Sequence, residues 1–173
     1  IDTGATGSNG LIEKEINLKL ARELFRLNTK EKYLNIYLSR YIDTLISLQD
    51  RTKLAKALNA DYFISLHCNH SSSPIANGIE IFVPRSGPPG NLKESIFIAN
   101  EIQRSLTTQF GIKSRGIKFE DFLVLKESIK FAPSILVELC FISNKEEANF
   151  ISNQVNLEAI ALSVYSSIKK LRQ

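Results

Sequence analysis

"SILVELCFIS", residues 134 to 143, is apolar at every interior position except Glu138. An uninterrupted apolar run of this length, bounded by serines, predicts a strand covered on both faces, as in a parallel sheet flanked by helices. The surrounding sequence supports that reading. "DYFISLHCN" (61 to 69) is a second strand rich in aromatic and branched residues, and "GIEIFVP" (78 to 84) is a third, whose alternation predicts one polar face. "YLNIYLSR" (33 to 40) is expected to be a strand as well. Between them lie helical patterns. Ile16, Leu18, Leu20, Ala21, Leu24 and Phe25 recur mostly at helical spacing from Glu15 to about Asn28, "SLQDRTKLAKALNA" (47 to 60) is helical, and a long helix runs from about Leu92 to Phe110. "PRSGPPGNLKES" (84 to 95) reads as a surface loop, "FLVLK" (122 to 126) is a short apolar run, and Gln154 to Leu171 forms an amphipathic helix. Strands alternating with helices predict one α/β domain over residues 1–173, a mostly parallel twisted sheet with helices on both faces. Such sheets gather ligands at the carboxyl ends of their strands.

The bulk properties agree with one globular domain. At 173 residues, with 43% hydrophobic and 23% charged residues, the chain can bury a single core. No apolar run approaches the roughly 18 residues of a membrane span. The net charge of +4 comes from scattered lysines, which argues for a solvated surface and against a nucleic-acid stripe. The chain begins at Ile1 with neither a basic-then-apolar leader nor a small-residue cleavage site, so it is expected to be part of a longer product. Cys68 and Cys140 each sit in an apolar run, where a small buried thiol is the expected role.

Three polar residues stand at or beside the predicted strands: Glu13 before the first helix, His67 in "SLHCN", and Glu138 in "LVELCF". A histidine leaving an apolar strand can offer a ring nitrogen to a metal, or can simply be a satisfied strand-end residue. His70, beyond that strand in "HSSSP", is expected to be exposed. Glu138 is the sharpest conflict in the chain. An ionised carboxylate among Ile135, Leu136, Val137, Leu139 and Phe141 costs several kcal/mol unless it has a cation, a metal-bound water or a proton. A buried salt bridge to Arg40 or Arg51 is the alternative. Glu13 is compatible with mere balancing of the helix N-terminus.

Taken together, these residues and their surroundings resemble the zinc-dependent N-acetylmuramoyl-L-alanine amidases of bacterial cell-wall turnover, the type 3 family. "IDTGATGSNGLIEKEINL" resembles the family's opening Asp-x-Gly-Ala, glycine turn and Glu-Lys. "IYLSRYIDTLISLQDRTKLAKALNADYFISLHCN" is similar to its Arg, Asp, Leu-x-x-Arg, Ala-Asp and Ser-x-His-x-Asn landmarks. "NGIEIFV", "SRGIKFEDFLVLK" and "APSILVELCFISN" follow in family order. The likeness covers nearly the whole chain.

The resemblance implies Zn²⁺ held by two histidines and one glutamate, with an open position for water and a second glutamate beside it. Glu13 matches the glutamate ligand, His67 the second histidine ligand and Glu138 the catalytic glutamate. Glu138 then moves the proton of the attacking water to the leaving amine. The implied substrate is peptidoglycan, cut between N-acetylmuramic acid and the L-alanine of the stem peptide. A monomer exported to the periplasm or cell wall is expected, serving autolysis or cell division.

One departure stands out, since no histidine precedes His67. Setting "IDTGA" on the family's Ile-Asp-x-Gly-His puts Ala5 at the first ligand, which implies an inactive or metal-poor protein that binds peptidoglycan without cutting it. Setting the same stretch after the family's Gly-His-Gly-Gly aligns Asp2, Gly4, Ala5, Gly7, Gly10, Glu13 and Lys14 without a gap. The second alignment fits better. It puts the histidine about three residues before Ile1, after a first strand that also lies upstream. A zinc peptidase acting within the stem peptide is a further alternative. The strands and helix between His67 and Glu138 leave no room for a plugging helix, so an open cleft is expected.

Overall fold

A computed structural model describes residues 4–171 of the chain. Four strands, β1 (Phe63–Asn69), β2 (Ile79–Val83), β3 (Ser114–Phe119) and β4 (Ser134–Phe141), form one sheet in the order β1-β4-β2-β3. β1 runs parallel to β4 and β2 parallel to β3, while β2 and β4 are antiparallel. The sheet is therefore mostly parallel, as expected. Six helices accompany it among the described residues: α1 (Glu13–Glu31), α2 (Leu48–Ala57), α3 (Pro89–Phe110), α4 (Leu123–Ser128), α5 (Lys145–Ser152) and α6 (Gln154–Lys170).

β4 is buried along its length except at Glu138, because it has a strand on each edge and helices over both faces. On one face Ile135, Val137 and Leu139 join Ile79, Ile81 and Val83 of β2 under α1, α3 and α6. Each such side chain contributes about 1.5–3 kcal/mol by leaving water. On the other face Leu136 packs with Phe63, Phe82 and the α4 residues Val124 and Leu125, and α2 rests on α4. No helix is long and apolar enough to cross a membrane among the described residues.

Several expectations change in detail. Residues 33–40 form no strand. A cleft of about 920 Å³, lined by Leu34, Ile36 and Leu38 on one side and by Phe63, Ile64 and Leu66 on the other, separates this stretch from β1. Without a ladder partner among the described residues, it is held by side chains instead. The Asn28 amide grips both the N–H (2.9 Å) and the carbonyl (2.6 Å) of Leu34, and Arg40 donates to the Lys14 carbonyl. β2 has no solvated polar face, because its Glu80 is buried under Arg115 and Lys118 of β3. α3 begins at Pro89, inside the expected loop, with a proline in its first turn where no N–H is needed. The apolar run at 122–126 opens α4. β3 and α5 were not legible as elements. Cys68 and Cys140 are both buried and free, as expected. Asp2, part of the resemblance at the N-terminus, lies outside the described residues.

Candidate active site

The turn preceding α1 brings Glu13 to the sheet. Thr6 and Ile12 form an antiparallel bridge, the Gly7 N–H bonds the Leu11 carbonyl at 2.7 Å, and the Ser8 N–H reaches the Ile142 carbonyl beyond β4 at 2.9 Å. Gly4, at φ +65°, lies directly against Glu13, and a Cβ there would stand 2.5 Å from Oε2. A side chain at this position would displace the carboxylate as well as strain the backbone. Glu13 Oε2 accepts from the Ala5 N–H at 2.9 Å, while Oε1 accepts from Asn17 Nδ2 at 3.2 Å and the Cys68 N–H at 3.4 Å.

His67 lies on β1 with Nδ1 2.9 Å from Glu13 Oε1 and Nε2 3.0 Å from Ser65 Oγ. Its side chain is 37% exposed at the wall of the cleft. Burial alone would raise the Glu13 pKa, but hydrogen bonds from His67 and the Ala5 N–H outweigh it and hold the carboxyl below its ordinary value. Glu13 is thus kept ionised beside an imidazole.

Glu138 is the register partner of His67 across β1 and β4, and of Glu80 across β4 and β2. Its Oε2 is buried and has no hydrogen-bond partner among the described residues. Burial is the main force pushing its pKa up to about 7. His67 opposes the rise, while the charges of Glu13 and Glu80 add to it. The alternative of a salt bridge to Arg40 or Arg51 is not realised among the described residues. Arg40 pairs with Asp43 at 3.7 Å and Arg51 donates to the Ile46 carbonyl at 3.3 Å.

The sequence-predicted Glu13, His67 and Glu138 therefore converge, and His70 is exposed beyond β1. Asn17 escaped sequence reading, although it lies one helical turn after Glu13, and Ser65, part of the Ser-x-His-x-Asn landmark, was given no role although it lies two positions before His67 on the same strand face. His67 and Glu13 offer the imidazole nitrogen and carboxylate oxygen that zinc takes, and a buried carboxylate lacking a partner stands beside them. Among the described residues no group of three potential ligands forms. The donor set fits zinc as two of its ligands.

Comparison with known proteins identifies the family to which the chain belongs. The sequence profile of the N-acetylmuramoyl-L-alanine amidase family (Amidase_3) matches residues 1–170. The N-acetylmuramoyl-L-alanine amidase LytC of Bacillus subtilis is 37% identical over 95% of this chain. The match spans 32% of LytC, so the chain corresponds to about a third of that relative's length. The crystal structure of an N-acetylmuramoyl-L-alanine amidase from Clostridium difficile 630 superposes with a TM-score of 0.90 at 29% identity, covering 99% of this chain and 90% of that one. The catalytic domain of CwlV, an N-acetylmuramoyl-L-alanine amidase from Paenibacillus polymyxa, gives a TM-score of 0.85 at 27% identity, covering 99% and 91%. With an end-to-end family match and the same fold, this chain belongs to the type 3 N-acetylmuramoyl-L-alanine amidase family and corresponds to its catalytic domain.

Proposed function

We propose that this domain hydrolyses peptidoglycan at the amide between N-acetylmuramic acid and the L-alanine of the stem peptide, using zinc held by Glu13, His67 and a histidine upstream of Ile1. The observation that carries this reading is the buried, unpartnered Glu138 Oε2 opposite His67. A carboxylate is kept in such a position at a cost to stability, which a proton-transfer role explains.

Zinc bound at Glu13 and His67 supplies Lewis-acid polarisation of the amide carbonyl and lowers the pKa of water to about 7. The remaining steps belong to the chain. Glu13 offers a carboxylate held ionised by its N–H donors, and Ser65 fixes the ring plane of His67. Glu138, with its pKa raised to about 7, suits both directions of proton transfer near neutral pH. It takes a proton from the attacking water and returns it to the departing amine of L-alanine.

A further strand parallel to β1 is part of the proposal. β1 is an edge strand among the described residues, its apolar residues Phe63, Ile64 and Leu66 are only partly buried, and Gly4 lines the cleft that runs beside it. Long apolar edges are normally paired or covered. A strand in that cleft would bring the proposed histidine to the Glu13 and His67 end. The protein on this reading is an exported monomer acting in the periplasm or cell wall.

The test uses zinc-loaded protein carrying its upstream segment, incubated with purified peptidoglycan. Release of stem peptides with a free L-alanine amine is expected, and Glu138→Gln should abolish it. Undiminished release by Glu138→Gln, or cuts confined to bonds within the stem peptide, would overturn the proposal.

A further inference from the structure

The row of polar residues does not stop at Glu138. Its partner Glu80 on β2 is 3% exposed, and its two oxygens are taken by Arg115 Nε and by Lys118 Nζ, the latter at 2.8 Å. His67, Glu138 and Glu80 are register partners across β1, β4 and β2, and the β3 cations extend the line beyond Glu80. The guanidinium of Arg115 lies 4.9 Å from the centre of the Phe141 ring, and the Lys118 ammonium 5.8 Å from that of Phe82. Both cations remain partly exposed, at 31% and 42%.

Their donors are not exhausted. Arg115 uses Nε on Glu80 and Nη1 on the Asn77 carbonyl, which leaves Nη2, and Lys118 spends one of its three N–H groups on Glu80. Glu147, the other carboxylate near Arg115, already accepts from the N–H groups of Gly78 at 2.8 Å and Phe141 at 2.7 Å. Two cations therefore share one dedicated carboxylate, with donors to spare on the catalytic side of the sheet.

From this arrangement we infer that Arg115 and Lys118, anchored by Glu80, form a specificity subsite for a free carboxylate on the peptide side of the cleaved amide. The inference rests on the amidase reading. In that substrate the lactyl carboxyl is consumed in the amide and the neighbouring sugars are neutral, so free acids lie on the peptide. Strands are spaced about 4.8 Å apart, so β3 lies roughly 10 Å from β4, a span that an extended peptide covers in about three residues. The second and third stem residues are within that reach. Charge-assisted hydrogen bonds from a guanidinium and an ammonium suit a carboxylate and have little to offer its amide.

The experiment compares two synthetic N-acetylmuramoyl peptides of equal length, with carboxylates or carboxamides at the second and third residues, on zinc-loaded protein carrying its upstream segment. The carboxylate form should have about tenfold higher kcat/KM, mostly through KM. Lys118→Gln and Arg115→Gln should each reduce this preference several-fold, and Lys118→Arg should restore most of it. Cleavage of both substrates with equal kcat/KM, or a preference that persists in both glutamine variants, would overturn this inference alone. Cleavage of neither would overturn the amidase reading and this one with it.

Discussion

Glu138 and Glu80 face each other across β4 and β2, yet the protein treats them in opposite ways. Glu80 has a cation on each oxygen, and these pairings outweigh burial and keep its pKa below the ordinary value. Glu138 has an oxygen with no partner, and burial lifts its pKa to about 7. The difference lies in what the neighbouring strand supplies. β3 brings Arg115 and Lys118 to Glu80, whereas β1 brings His67, already engaged by Glu13 and Ser65, to Glu138. A buried carboxylate with its partners in place holds a sheet together; one deprived of them is kept ready to exchange a proton.

The largest consequence should be catalytic. Glu138→Gln keeps the shape and removes the proposed proton carrier, so amide hydrolysis should fall by about 10²–10⁴-fold with zinc content unchanged, measured as amine release and bound metal. The same substitution separates the two carboxylates in stability. A raised folded pKa means that the native state holds its proton more tightly than the unfolded chain, so stability is greatest below about 4.5 and declines as pH rises towards 7. For metal-free protein, Glu138→Gln should therefore gain about 2–3 kcal/mol on the wild type between pH 4.5 and 8 in urea titrations. A flat difference across that range would remove the contrast with Glu80.

Glu80 should behave in the reverse sense. Glu80→Ala strips two half-buried cations of their partner and should cost about 1–3 kcal/mol at pH 7. Because the folded pKa of Glu80 is lowered, its contribution is complete above about 4.5 and vanishes as pH falls through the folded value. Urea titrations of the two proteins should accordingly converge in acid. A cost that persists in acid would assign Glu80 a packing role.

The same contrast explains what the sequence made legible. β4 and Glu138 stood out because an apolar run and a charge inside it are local facts. β3 did not, since Arg115 and Lys118 read as surface residues until Glu80, some 35 positions away, is seen to need them. Residues 33–40 have the composition of a strand, but a strand is a pairing, and the cleft beside β1 leaves them without a strand partner among the described residues. Glu13 looked like a helix-end charge. The family resemblance made it a candidate ligand, and the turn through Ala5 and the imidazole of His67 show how the two donors come together.

The smallest expected effect concerns the side of the comparison on which His67 sits. Ser65 Oγ holds one ring nitrogen of His67 while Glu13 holds the other, and Ser65 touches neither Glu138 nor Glu80 by any hydrogen bond among the described residues. Ser65→Ala should leave the pH dependence of stability unaltered and lower zinc affinity about tenfold, the usual cost of losing a group that orients a ligand. Competition with a chelator of known affinity measures it. If Ser65→Ala instead shifts the acid limb set by Glu80, the two halves of the row are coupled through β4, and the division between a bracing and a working carboxylate has to be redrawn.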